Sequence, residues 1–169
     1  MSKTLTDDQM ASYRENGYIY PLGPAFTHSQ IQEIRAGLEE LIKLLEPGET
    51  TKEIREWHES SRFLYDICLN EIFLDHVEDL IGPDFYLWAS NFFIKEPGAG
   101  DTVAWHQDAY YWPMEPVESA TVWLAVDDVD ESNGAMLFVP GSHKDGFVDH
   151  GRLEEGDSVL GLGIPTDKI

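Results

Sequence analysis

The sequence predicts an α+β fold, mainly β, and two observations carry that prediction. Up to Gly82 the apolar residues recur with a helical period. Beyond it they fall into short aromatic and β-branched runs separated by turn residues, the pattern of strands. The 169 residues suit a single domain, with helices over about 1–84 and strands over about 85–164.

In the helical part, Thr6-Asp7-Asp8-Gln9 is a capping box, and the helix it opens should stop at Gly17. Tyr18-Ile19-Tyr20 reads as an edge strand. Thr27 or Ser29 starts a second helix, with Ile31, Ile34, Leu38, Leu41, Ile42 and Leu45 on one face and Pro47-Gly48 as its end. Residues 49–60 read as a polar loop with a helical turn, in which Trp57 and His58 are packed surface residues. Ser61 to Leu69 is a short helix with Phe63, Leu64 and Ile67 inward. Asn70 caps another that runs to Gly82, with His76 on its solvated side.

The strand candidates are Phe85–Lys95, Thr102–Gln107, Thr121–Val126, Ala135–Pro140 and, weakly, Val159–Ile164. Between them lie a turn at Pro97–Asp101, an aromatic loop from Ala109 to Ala120 and an acidic turn at Asp127–Gly134. The acidic turn fails as a calcium loop. Its glycine is one place late, and Val139 stands where the bidentate Glu belongs. Asn133-Gly134 makes it a hairpin turn.

Composition narrows the functional classes. Eleven basic against 32 acidic residues leave a net charge of −21, which disfavours nucleic acid and anionic membranes as partners. The single cysteine, Cys68, forms no intrachain disulfide. Met1–Asp8 lacks the apolar run of a signal peptide, and no stretch reaches membrane-spanning length, so the expected location is cytoplasmic.

The residues that point to chemistry are Trp105-His106-Gln107-Asp108-Ala109-Tyr110-Tyr111-Trp112. On extended backbone His106 and Asp108 share one face and Gln107 the other. An imidazole and a carboxylate side by side are two of the three ligands of the 2-His-1-carboxylate face that holds non-haem Fe(II). A bare H-x-D is a weak signal. It gains weight from Thr121–Asp128 and from Asn133-Gly134-Ala135-Met136-Leu137-Phe138-Val139-Pro140-Gly141-Ser142-His143-Lys144, which follow it in that order.

Together the three stretches resemble the signature of the phytanoyl-CoA dioxygenase family, Fe(II)- and 2-oxoglutarate-dependent oxygenases. The likeness is clear from Tyr86 to Lys144 and weaker before Pro83. It implies a double-stranded β-helix (jelly roll, cupin-like) core with the N-terminal helices packed outside the sheet. It implies iron on His106 and Asp108, with 2-oxoglutarate and O2 as cosubstrates. It places Asn91 (by matching Lys95-Glu96-Pro97), Gln107 and Trp123 beside 2-oxoglutarate. His143 in the Pro-Gly-Ser-His turn is structural. Relatives that halogenate have a small residue in place of the carboxylate, so Asp108 favours hydroxylation.

The resemblance also implies a second iron-binding His on a late strand, and beyond it an Arg that grips the far carboxylate of 2-oxoglutarate as a bidentate fork. Neither is evident. His150 followed by Arg152 is the nearest substitute, and the two stand too close together for the family arrangement. A jelly roll has eight strands, against about five or six candidates here. The expectation is therefore the N-terminal portion of a family member, with self-association as one way to cover the open sheet edge. Two other classes stay open: a non-catalytic jelly-roll fragment or partner subunit that binds metal weakly, and a cupin-like metalloenzyme without 2-oxoglutarate. The substrate is not legible. The family spans acyl-CoA esters, amino-acid derivatives and natural products, and the acidic composition argues against a highly anionic CoA ester.

Overall fold

A computed structural model describes residues 4–95, 98, 102–112, 114–153, 158 and 160–169. The chain is α+β. It carries four α-helices, α1 (Asp7–Asn16), α2 (His28–Ile42), α3 (Arg62–Cys68) and α4 (Glu71–Ile81), and a two-stranded antiparallel sheet of β1 (Gly151–Arg152) and β2 (Leu162–Gly163). It divides into two compact units. One comprises Met1–Thr6, Pro21–Ile94 and Ala120–Asp128, the other Asp7–Tyr20, Lys95–Ser119 and Val129–Ile169.

The first unit is built on α2, α3 and α4. Thr27 caps α2 through a capping box: its hydroxyl accepts from Gln30 N–H at 3.3 Å, and the Gln30 side chain accepts from Thr27 N–H at 2.8 Å. Asn70 caps α4 and Gly82 with φ +87° ends it, as the sequence predicts, while Ser61, expected as the first residue of α3, is its cap. Helix α2 stops at Ile42, short of Pro47, in turns that bond Leu44 N to Leu41 O and Leu45 N to Ile42 O. The apolar stripe of α2 does its expected work, since Ile34, Leu38 and Leu64 form the buried core with Phe26, Ile31, Trp57, Phe63 and Ile67 packed on it. Gly37 makes that packing possible. A Cβ there would lie 2.3 Å from Cζ of Phe63, so only glycine lets the tip of that ring reach the helix.

His58 is more deeply placed than its surroundings in sequence suggest. It is buried, and its Nδ1 lies 2.7 Å from the Ser90 hydroxyl. Glu56 N–H donates to Ser90 O at 2.8 Å, and Arg55 and Asn91 form an isolated antiparallel bridge. The turn around Trp57–Glu59 thereby holds the segment that bears Asn91.

In the second unit the Pro-Gly-Ser-His turn docks on the end of α1. Gly141 N–H donates to Asn16 O at 2.9 Å, His143 Nε2 donates to Arg14 O at 3.1 Å, and Lys144 pairs with Glu15 at 2.7 Å. Gly17, with φ +84°, leaves room for the His143 ring, which a Cβ would meet at 2.6 Å. His143 is therefore structural, as expected: it satisfies a carbonyl at the C-terminus of a helix. The acidic turn is also confirmed as a turn. Asp130 O accepts from the N–H groups of Asn133, Gly134 and Ala135, and the Asp130 carboxylate, held by Ser132, has its pKa lowered.

The strand predictions are corrected. Among the described residues, Tyr18–Tyr20, Phe85–Lys95, Thr102–Gln107, Thr121–Val126 and Ala135–Pro140 form no ladder, and only Leu162–Gly163 realises part of the Val159–Ile164 candidate. The expected turn at Pro97–Asp101 lies largely outside the described residues, as do Glu96, Pro113 and Val159. The physical reason is that alternation and β-branching supply propensity, whereas a strand also needs a partner for its N–H and C=O groups. Phe93 and Leu137, in segments without a ladder, remain 61% and 60% exposed. The fold is accordingly richer in helix than the mainly-β expectation.

Candidate metal centre

His106 and Asp108 come together because one residue between them is extended. Gln107 has φ −114° and ψ 122°, so its two neighbours project to the same side. His106 Nε2 lies 3.1 Å from Asp108 Oδ1. The expected continuous strand is absent. Instead the chain leaves Gln107 directly into a 3-10 turn, Asp108–Tyr111, closed by Tyr110 N–H on Gln107 O. The pairing needed one extended residue, not a strand.

His106 is held in a defined tautomer. Its Nδ1 lies 2.8 Å from Ala104 O, which only accepts, so Nδ1 carries the proton and Nε2 is the nitrogen turned toward Asp108. The hydrogen bond to Asp108 raises the His106 pKa above the usual imidazole value, with partial burial acting the other way and the Ala104 carbonyl adding to the rise. Both groups compete for one acid. A proton shared between Nε2 and Oδ1 stabilises the pair, and a divalent metal would take the place of that proton.

The donor set fits such a metal. Two donors each about 2.1 Å from an ion, at right angles, stand about 3.0 Å apart, close to the observed separation. Nitrogen plus carboxylate oxygen suits a borderline cation such as Fe(II). Among the described residues, no group of three or more His, Cys, Asp or Glu side chains is placed to hold a metal. The pair therefore supplies two ligands of a site and no third.

The opposite face of the segment is tied down as firmly. Gln107 Nε2 donates to Gly146 O at 2.8 Å, and Gln107 Oε1 accepts from Val148 N–H at 2.9 Å. Gln107 N–H donates to His150 Nε2 at 3.1 Å, and His150 Nδ1 donates to Val148 O at 2.8 Å. The His150 ring stacks on Tyr110 with centroids 3.8 Å apart. Tyr111 stands edge-on to both His106 and His150, and its hydroxyl donates to Leu162 O at 2.6 Å. Ser158 Oγ accepts from Ala104 N–H, and Trp105 O accepts from Ile164 N–H.

The other two expected cosubstrate contacts, Asn91 and Trp123, belong to the first unit and are both exposed there. The structure thus brings His106, Gln107 and Asp108 into one cluster. Beside them stand Tyr111, which sequence reasoning did not assign to the cluster, and His150, the substitute offered for the missing ligand, whose two nitrogens bond Gln107 N–H and Val148 O instead. The aromatic run after Asp108 was a visible signal for Tyr111. No local pattern links Gln107 to residues 146–150.

The model of the phytanoyl-CoA dioxygenase family (PhyH) matches residues 13–158. The chain belongs to the phytanoyl-CoA dioxygenase family. The match takes in both metal-ligand candidates, the three expected cosubstrate contacts and His150. A protein named "Probable alpha-ketoglutarate-dependent hypophosphite dioxygenase" from Stutzerimonas stutzeri is 33% identical over 114 residues, 65% of this chain and 39% of that protein. The peroxisomal phytanoyl-CoA dioxygenase of Mus musculus is 25% identical over 173 residues, covering 88% of this chain and 51% of the mouse protein. The phytanoyl-CoA dioxygenase domain-containing protein 1 of Danio rerio is 39% identical over 71 residues, 41% of this chain and 24% of its own. The chain spans at most about half the length of these relatives. No solved structure matches it.

Proposed function

We propose that this phytanoyl-CoA dioxygenase family chain carries the His106–Asp108 half of the iron site of an Fe(II)- and 2-oxoglutarate-dependent dioxygenase that hydroxylates a small organic substrate. The single observation behind this reading is the 3.1 Å approach of His106 Nε2 to Asp108 Oδ1, with Nδ1 of the same ring held by a carbonyl. The family match and the relatives' names support it. Iron bound there would supply the oxygen chemistry, with 2-oxoglutarate providing electrons.

The protein's own residues orient and shield. Ala104 O fixes the His106 tautomer, Asp108 supplies anionic charge, and the Tyr111 ring covers one side of the imidazole. In this reading Asn91 and Trp123 contact 2-oxoglutarate, the segments over 85–164 belong to the jelly roll of the family, and the protein works in the cytoplasm without nucleic acid or membrane partners. The substrate does not come over with the site. The relatives' names cover hypophosphite and phytanoyl-CoA, two unlike molecules.

Anaerobic titration calorimetry with Mn(II), run with and without 2-oxoglutarate, tests the proposal. Metal binding strengthened by 2-oxoglutarate is the expected result, because a chelating cosubstrate adds donors to an incomplete site. A second reading, a non-catalytic fragment or partner subunit with weak metal binding, is favoured by the lack of a third ligand among the described residues. It predicts weak Mn(II) binding that 2-oxoglutarate leaves unchanged.

A further inference from the structure

His150 is the residue whose position asks most for a function. It has both a donor and an acceptor nitrogen, lies next to the candidate metal pair, and yet offers neither nitrogen to it. Its Nε2 lone pair takes the N–H of Gln107, the residue between the two ligands, and its Nδ1–H is on Val148 O. Gln107 returns two bonds to the same loop, through Gly146 O and Val148 N–H. Three hydrogen bonds therefore join residue 107 to the 146–150 loop, a fourth within the loop orients the His150 ring, and stacking on Tyr110 fixes that ring further.

We propose that His150 is a positioning residue for the metal site: with Gln107 it forms a clamp that holds the backbone between His106 and Asp108 extended. The two ligands face each other only while Gln107 stays near φ −114° and ψ 122°. A helical residue at that point would turn Asp108 away from His106. Gln107 carries two backbone groups that follow that conformation: its C=O, bonded by Tyr110 N–H, and its N–H, whose acceptor is His150. The ring nitrogen that would otherwise bind a metal is used to set the geometry of the nitrogen that does. Outer hydrogen bonds of this kind commonly set metal affinity about 10- to 100-fold.

The inference rests on the reading of His106 and Asp108 as metal ligands, and the tests separate the two. In the metal-free protein, long-range proton–nitrogen NMR correlations should show His150 as the Nδ1–H tautomer. The Gln107 amide should exchange about five- to tenfold faster in His150→Phe, which keeps the stacking but removes the acceptor. The Leu153 amide, which bonds Gly161 O beside the β1–β2 ladder, should be unaffected, and His150→Gln, with an oxygen near the Nε2 position, should restore Gln107 protection. An Nε2–H tautomer, or Gln107 exchange unchanged in His150→Phe, overturns the clamp. Mn(II) titration then tests what the clamp does. His150→Phe should weaken binding about 10- to 100-fold, with partial rescue in His150→Gln. Wild-type affinity in His150→Phe alongside lost binding in His106→Ala would overturn the positioning role and leave the ligand pair standing. Wild-type affinity in His106→Ala would overturn the ligand reading itself.

Discussion

The helical core around α2 and α3 and the segment around His106 are held together by different physics. The core is made by apolar burial: Ile34, Leu38 and Leu64 are removed from water, and a glycine admits the Phe63 ring. The His106 segment buries few apolar side chains. It is fixed by side chains bonded to distant backbone groups: Gln107 to residues 146 and 148, Tyr111 to 162, Ser158 to 104. The first arrangement gives stability through close packing. The second gives defined orientation, and each of its bonds serves one atom.

The contrast can be sharpened by breaking each region in its own terms. Leu64→Ala should have the largest effect on stability. Leu64 is 2% exposed at the centre of the core, and its truncation should lower unfolding free energy by about 2–5 kcal/mol in urea melts. A loss under about 1 kcal/mol would mean that the core is loosely packed. Gln107→Leu should cost less, about 0.5–1.5 kcal/mol for each of two exchanged bonds, and its effect should be local. The Val148 amide should lose protection while the amides of α2 keep theirs. Uniform loss across the chain would erase the distinction between the regions.

The smallest effect concerns chemistry, not stability. Burial raises the pKa of the Cys68 thiol, and a hydrogen bond from Ser90 offsets this only in part. A raised pKa means less thiolate at a given pH. Alkylation by iodoacetamide at neutral pH should therefore be slower than for a free cysteine, and should accelerate only at pH above the usual thiol range. Alkylation as fast as in a model peptide would show that the site opens readily.

The same contrast explains what was legible in the sequence. Helix boundaries were, because Thr27, Ser61, Asn70 and Gly82 act on backbone groups within one turn. The His106–Asp108 pair was, because alternation across one extended residue is local geometry. Gly37 was not: its need arises from Phe63, a residue of another helix. The burial of His58 against Ser90 and the link from Gln107 to His150 were hidden for the same reason, since each depends on a partner more than thirty residues away. The strands over 85–140 were over-read, because propensity was taken for pairing.

The central claim is that His106 and Asp108 form a metal-binding pair. Titration of Mn(II) into the wild-type chain and into His106→Ala, compared by anaerobic calorimetry, tests it most directly. The account predicts measurable binding in the wild type and none in the variant, with both proteins equally helical by circular dichroism. Equal Mn(II) affinity in the two would contradict it.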